Sequence, residues 1–521
     1  MKTIIRDARV LTMDPAGTEF ARATVTIEDD LIVAVEPDAM PRPAAGGANV
    51  REIDGTGHLV MPGLVNAHFH SSANHLKGSW DSMPLEVFML FETPADGDSI
   101  APRAAYVSTM LGAMEMLKTG VTAVLDDPFF VPAPSPEVID AVMQAYEDCG
   151  IRAVVALDQP NVPEVDKLPF LADLLPPDLL RRAAEPAPMD AAGLLGCYEH
   201  LIRRWHGRAD GRLRAAVSCS APQRVTRDYF HALDELSRRH ALPFYVHVLE
   251  TKVQRVFGEE KLGGRSLIGY VSDEGLLSER MNIIHGIWVD DADLDLIASA
   301  ASVVAHNPIS NLRLGSGIMP FRRLRERGIP ICLGSDEAIT DDSVNMWGVA
   351  KLAGLIHNIT SKDYQRWPRA EEILDCLIRG GARAMRNPTP IGQIAPGHQA
   401  DLILIDLDTL AFSPLNDLKR QLVYCESGTS VRMTMVAGRI VYEHGKSLLV
   451  DEPALRAEAR DLFARRAPPD GGAPRGGAPH GAASEGAALG SAQRWLPYYR
   501  QMYLKAADRD VGMQRWAGDS N

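Results

Sequence analysis

The sequence predicts an α/β protein built on a closed (β/α)8 barrel, with a small β-sandwich domain assembled from both chain ends. Three observations lead there. From about Leu59 to Asn387, short apolar β-rich runs alternate with longer amphipathic stretches, as βαβ units and parallel sheets require. Eight such runs can be counted, and several of them end in polar residues. The stretches on either side of this region alternate apolar and polar residues with period two instead.

The eight runs are LVMPGLVNAHFH (59–70), GVTAVLDD (120–127), IRAVVALD (151–158), LRAAVSCSAP (213–222), PFYVHVLE (243–250), MNIIHGIWVD (281–290), SVVAHNP (302–308) and IPICLGSD (329–336). Between them lie helix-like segments such as AAYVSTMLGAMEMLKTG and PEVIDAVMQAYEDCG. Eight strands with interleaved helices favour a closed barrel over an open sheet, and in such barrels the chemistry sits where the strands end. The period-two segments are TIIRDARVLTMD and ATVTIEDDLIVAVEP before the barrel, and ADLILIDLD and VRMTMVAGRIVYEHG after it. The expected division is therefore residues 1–58 and 393–450 for the β-sandwich, 59–392 for the barrel and 451–521 for a C-terminal extension.

Within that extension, residues from about 467 to 492 are dominated by Gly, Ala and Pro, a composition that cannot bury enough surface to order itself. A flexible linker is expected. The following RWLPYYRQMYLKAADRDVGMQRW is aromatic-rich, so it should dock on its own barrel or on a neighbouring subunit. The Pro- and Leu-rich stretch from Pro160 to Pro188 reads as a long insertion after the third strand, where active-site loops are usually elaborated.

Composition narrows the function. A chain of 521 residues, 46% hydrophobic and 23% charged, has ample material for a large packed core. A formal charge of -14 disfavours nucleic acid and anionic membranes as partners. No basic and apolar leader precedes the first strand, and no apolar stretch approaches the roughly 20 residues of a membrane span. A cytoplasmic protein is expected. The six cysteines, Cys149, Cys197, Cys219, Cys332, Cys376 and Cys425, are scattered without CxxC spacing and read as buried thiols rather than disulfides or a cysteine zinc site.

His68 and His70 stand at i and i+2 near a strand end, so their side chains share one face and can converge on one ion. The Pro-Gly turn of VMPGLVNA is what a first barrel strand needs before it. His247 closes PFYVHV with Glu250 three residues later, His285 closes NIIH, and Asp336 closes ICLGSD. Independent core residues would rarely repeat that placement at the ends of different strands. Imidazoles and a carboxylate suit zinc, with iron, manganese or cobalt as alternatives.

In order, HFH, the HVLET run, HGIWVD, AHNPISNLRLGSGIMP and GSD resemble the amidohydrolase superfamily. More narrowly they resemble its mononuclear deaminase and chlorohydrolase group, which includes adenosine-type, guanine and cytosine deaminases and the triazine hydrolases. The resemblance spans roughly Thr3 to Gly445. It implies the barrel, the β-sandwich and a homo-oligomer. It also implies one divalent metal on His68, His70, His247 and Asp336, with Glu250, His285 and Asp336 catalytic. Binuclear relatives need a bridging lysine or equivalent acid at the end of the fourth strand, and VSCSAP offers no lysine.

The chemistry implied is hydrolytic deamination of an amino-substituted N-heterocycle. Metal binding lowers the pKa of water from 15.7 toward about 7 and so supplies hydroxide for attack on an electron-poor carbon. Asp336 accepts its proton, Glu250 protonates the ring nitrogen, and His285 holds the nucleophile or polarises the departing group. Expulsion of chloride, an alkylamine or a urea- or carbamate-type amine uses nearly the same machinery, and a non-catalytic scaffold is the remote alternative.

Departures from the group bear on the substrate. Adenosine-type deaminases commonly end the fourth strand in His-Ala-Pro-Tyr, whereas this chain has Ser220, Ala221, Pro222, Gln223 and Arg224. This moves the expectation away from nucleosides and makes Gln223 a candidate substrate contact. His306 and Asn307 at the seventh strand end, with Asn311 beyond, are expected to line the pocket, and Trp80, Phe88 and Phe91 to roof it or to pack the first loop. Asp341 and Asp342 replace the paired asparagines of relatives and read as a cap for the following helix. His75 carries no evident role.

Overall fold

The computed structural model describes residues 1–37, 50–92, 99–464 and 485–516, with the side chains of 485–491 left out. Eight parallel strands form the barrel: β1 (Leu64–His70), β2 (Val121–Asp126), β3 (Arg152–Val155), β4 (Leu213–Ala215 and Val217–Ser218), β5 (Phe244–Val248), β6 (Met281–His285), β7 (Val303–His306) and β8 (Ile331–Leu333 and Asp336–Glu337). All eight expected runs become strands. The first run divides at Gly63, because His58–Pro62 belongs to the other sheet.

The barrel is two five-stranded sheets that meet at interrupted strands. In β4, Leu213–Ala215 pairs with β3 and Val217–Ser218 with β5. In β8, Ile331–Leu333 pairs with β7 and Asp336–Glu337 with β1. Where the β8 ladder breaks, side chains take over: Asn66 Nδ2 donates to Ser335 Oγ at 2.8 Å, and Ser335 N donates to Asn66 Oδ1 at 3.0 Å.

Val65, Ala67, Ala123, Leu125, Val154, Tyr245, Ile284, Ala305 and Cys332 pack together inside the barrel. Their alternate neighbours, such as Leu64, Val124, Val155, Phe244, Ile283 and Val304, pack outward among the helices. This is the two-sided burial expected of a parallel sheet covered by helices.

Both chain ends contribute to one continuous nine-stranded sheet, in which Lys2–Leu11 pairs with His58–Pro62, and His58–Pro62 with Leu402–Asp406. Ile5, Val10, Val25, Val60, Leu402, Met433 and Met435 form its own core, distinct from that of the barrel. The two units are joined by a buried ion pair: Arg152 Nε on β3 donates to Asp401 Oδ2 at 2.6 Å, with both side chains 2% exposed.

Most of the expected linker lies outside the described residues. Its last part, from Glu485 onward, is already helical, in a helix that runs to Ala507. Trp495, Tyr499, Met502 and Ala506 recur on one face of that helix and are buried against Leu171, Leu175, Leu179, Val253 and Val256. The extension therefore docks on its own barrel. Five of the six cysteines are buried thiols, whereas Cys425 is exposed, a correction to the expectation of six buried ones. Among the described residues no helix is long and apolar enough to cross a membrane.

Candidate active site

The site forms at the carboxyl ends of the barrel strands, and local departures from regular strand geometry aim its side chains. Val65 and Ala67 already face the interior of β1. A register shift between Asn66 and Phe69 re-aims the chain so that His68 and His70 also face it. On β6 the interior position is Ile284, and His285 turns inward out of alternation through a left-handed backbone, φ 71°. Ser220, Leu249 and Asp336 adopt the same strained region at φ 60°, 52° and 65°. Such outliers gather where side-chain placement outweighs backbone comfort. Gly334 is needed for close approach: a Cβ there would stand 2.5 Å from Asn307 Oδ1 and 2.7 Å from His68 Cβ.

Four side chains converge. His68 Nε2 lies 3.1 Å from His70 Nε2 and 3.2 Å from His247 Nε2, and Asp336 Oδ1 is 3.4 Å from both His68 Nε2 and His70 Nε2. The outer nitrogens decide the tautomers. His70 Nδ1 donates to the Asp127 carbonyl at 2.5 Å, and His247 Nδ1 donates to the Ser220 carbonyl at 2.8 Å. A carbonyl can only accept, so each Nδ1 carries the hydrogen and each Nε2 lone pair points inward. Lone pairs brought this close repel unless a cation lies among them, and fixing the outer nitrogen is how proteins orient metal-binding imidazoles. The donor set fits one divalent ion, and His68, His70 and Asp336 group tightly enough to hold it.

Electrostatics agree. Burial pushes His68 down to about 4 and His247 well below the ordinary histidine range, leaving both neutral as ligands must be. Burial opposes charge on Asp336 too, but His68 and His70 outweigh it and hold the carboxyl well below its usual range. His70 departs from this pattern: Asp336, Glu337 and Asp158 outweigh its burial and raise it well above the ordinary histidine range, a preference for positive charge that a bound cation would satisfy in place of the second proton.

Beside the cluster, His285 Nε2 stands 3.6 Å from Glu250 Oε2 and 3.7 Å from Asp336 Oδ2. Burial raises Glu250 above the usual carboxyl range. His285 Nδ1 donates to Asn311 Oδ1 at 2.8 Å, and Asn307 Nδ2 is 3.3 Å from the same nitrogen. Asn311, expected as pocket lining, thus holds His285, and Asn307, expected likewise, packs beside the ring. Asp127, Asp158 and Ser310 were not singled out in the sequence. Asp158 Oδ2 is 3.9 Å from His70 Nδ1, and Ser310 Oγ donates to Asp336 Oδ2 at 2.7 Å. The runs ending in Asp127 and Asp158 carried that signal in plain view.

Other expected contacts lie elsewhere. His306 follows the inward Ala305 and so points outward, its Nε2 3.1 Å from His357 Nε2. Phe88 packs edge-on to Trp80 at 6.0 Å in a small core with Leu76, Leu314 and Ile339, the packing alternative for these aromatics. Phe91 is half-buried in the same helix, Leu85–Glu92. Gln223 sits on a short turn after β4 with its Oε1 buried and, among the described residues, without a hydrogen-bond partner. The helix Met346–Ile356 is capped by Asn345, not by either aspartate; Asp342 instead pairs with Arg313 at 2.7 Å. His75 stacks on Phe463 at 4.5 Å.

An eight-stranded barrel with an imidazole and carboxylate cluster at its strand ends is the architecture of a metal-dependent hydrolase. Residues 59–441 match the amidohydrolase family, and the chain belongs to that family. It is 30% identical over 466 residues to a 5-methylthioadenosine/S-adenosylhomocysteine deaminase of Nitratidesulfovibrio vulgaris, covering 88% of this chain and 96% of the relative. It is 28% identical over 472 residues to a 5'-deoxyadenosine deaminase of Methanosarcina acetivorans, covering 89% and 98%. Among solved structures it is similar to a zinc-bound adenosine deaminase of Xanthomonas campestris, with TM-score 0.76, 25% identity and 88% and 97% coverage. An atrazine chlorohydrolase of Arthrobacter aurescens in complex with zinc shares the fold, with TM-score 0.77, 22% identity and 88% and 99% coverage.

Proposed function

We propose that this protein is a mononuclear metal-dependent aminohydrolase that releases ammonia from an adenosine-type aminopurine. The observation that carries the reading is Glu250 and Asp336 flanking His285, an acid and a base held on either side of one imidazole next to the ligand cluster. Zinc, suited to three imidazoles and a carboxylate on His68, His70, His247 and Asp336, would supply an acidified water. Asp336, braced by Ser310, accepts the proton and returns it to the departing amine. Glu250, whose carboxyl burial raises above its usual range, protonates the ring nitrogen next to the attacked carbon. His285 presents Nε2 to both carboxylates and orients the nucleophile.

Relatives named for adenosine derivatives support a purine nucleoside over the free ring, against the expectation drawn from the absent fourth-strand histidine. With zinc added, ammonia release should be seen from adenosine or its 5'-modified derivatives. Chloride release from a chlorotriazine without any ammonia from aminopurines would overturn the reading. Metal analysis should find one equivalent in the wild type and little in His68→Ala or Asp336→Ala; a full equivalent in either variant would overturn the ligand assignment.

A further inference from the structure

A cavity of about 390 Å³ adjoins the site: no proposed metal ligand lines it, but Glu86 and Arg224 do, and both are within electrostatic reach of Glu250. Its inner wall is tied to the site residue by residue. Gln159 follows Asp158, Arg224 closes the turn after Ser220, and Glu86 accepts a hydrogen bond from the Thr251 hydroxyl at 2.5 Å, one residue beyond Glu250. Its outer walls come from two additions to the barrel. One is the Pro160–Pro188 insertion, which carries the short helices Glu164–Lys167, Leu171–Leu174 and Pro177–Ala183. The other is the C-terminal helix Glu485–Ala507, which lies beyond residue 441, where the family match ends.

Trp495 and Tyr499 of that helix line the cavity and are also packed against the insertion, at 5% and 3% exposure. The helix and the tail that follows it are fastened at several points. Tyr499 Oη donates to Glu164 Oε1 at 2.8 Å, Lys252 Nζ donates to the Ala507 carbonyl at 2.5 Å, and Arg515 Nε donates to the Ile287 carbonyl at 2.7 Å. These bonds cross the loops after β3, β5 and β6, so the helix is a fixed wall over the strand ends. Two of the charges at the rim are spent on each other, because Glu164 also pairs with Lys167 at 2.7 Å, while Glu86, Arg182, Glu185 and Arg224 line other parts of the cavity. Val162, Leu168 and the ring of Trp495 then offer apolar surface.

We propose that Trp495 and Tyr499 determine substrate specificity. On this reading, the C-terminal helix and the insertion together form a subsite for an uncharged apolar substituent at the end of the substrate distal to its amino group. The inference rests on the aminopurine reading for the choice of probe. Kd values for adenosine and 5'-methylthioadenosine, read by rapid mixing before turnover, should be measured on the full-length zinc-loaded wild type, Trp495→Ala, Tyr499→Phe and Leu504→Ala. Leu504 is on the same helix, 48% exposed, and serves as control.

Trp495→Ala should weaken 5'-methylthioadenosine about tenfold, the scale of losing one apolar contact surface in a pocket. Adenosine should change less than twofold, and Tyr499→Phe should lie between wild type and Trp495→Ala. Equal weakening of both ligands, no weakening of either, or no binding of 5'-methylthioadenosine by the wild type would overturn the inference. If Trp495→Ala does not fold, the Tyr499→Phe ratio decides alone. Ammonia read in the same samples reports on the aminohydrolase reading separately, because tight selective binding without ammonia would sink that reading and leave this one standing.

Discussion

Asn311 Oδ1 lies 2.8 Å from Nδ1 of His285, so an amide 26 residues further along the chain fixes which ring nitrogen of that histidine faces the carboxylates. Replacing Asn311 by Leu removes the acceptor but leaves every proposed metal ligand in place. The expected result is a fall in kcat of roughly 10–100-fold, the usual cost of losing an orienting partner. Metal content should be unchanged by elemental analysis. An Asn311→Leu enzyme with wild-type kcat would remove Asn311 from the positioning role.

Glu250→Gln keeps the shape and one hydrogen-bonding oxygen while abolishing the exchangeable proton. Its kcat should fall by about 10²–10⁴, the range for losing a positioned acid. Zinc stoichiometry should stay at one, because Glu250 lies outside the proposed ligand set. Steady-state kinetics alongside metal analysis separate this outcome from simple loss of the ion.

Arg152 and Asp401 tie the barrel to the sheet formed from both chain ends, and Asp401 Oδ1 also accepts from the Ala437 backbone at 2.7 Å. Arg152→Met should destabilise the fold by about 3–5 kcal/mol, since it strands a buried carboxylate. Arg152→Met/Asp401→Leu should recover part of that loss in denaturant titration. If the double variant is less stable than the single one, the stranded charge is not the cause.

Glu86 is 4% exposed, and burial raises its carboxyl to about 7. Below about pH 4.5 the folded and unfolded chains both hold the proton, and the group has no pH effect. Between about 4.5 and 7 only the folded chain keeps it, so this residue makes stability decline as pH rises, with the penalty complete above 7. Glu86→Gln should therefore gain stability relative to wild type between pH 5 and pH 8, by up to about 3 kcal/mol. Thermal unfolding at the two pH values measures it; a pH-independent difference would contradict the raised carboxyl.

The barrel was readable because each strand announces itself twice, by an apolar run and by the polar residue that ends it. His68, His70, His247, Glu250, His285 and Asp336 all lie at such ends. Asp127 and Asp158 lie there too, but an acidic residue closing a strand looks the same whether it meets a histidine or water. Ala305 and His306 show what alternation can add: adjacent residues on one strand face opposite ways, so with Ala305 inward His306 could not reach the interior. The roles of Asn311 and Ser310 depend on a helical turn after β7 that aims both toward strands distant in sequence, and no local pattern encodes that. The aromatic tail was legible as something that must dock. Its seat was not, because Leu171, Leu175 and Leu179 stand more than 300 positions earlier in the chain.

The division of the barrel into two sheets has a mechanical consequence. His68, His70 and Asp336 belong to one sheet and His247 and His285 to the other. An ion held by the proposed ligands would act as a rivet between the halves, which otherwise meet through single backbone bonds such as Ala216 N to the Val155 carbonyl at 2.8 Å and Gly334 N to the His306 carbonyl at 3.1 Å. Chelation is then an act of loosening as well as of inactivation: amide exchange should quicken first along Ala216 and Gly334, while the middle strands of each half stay protected.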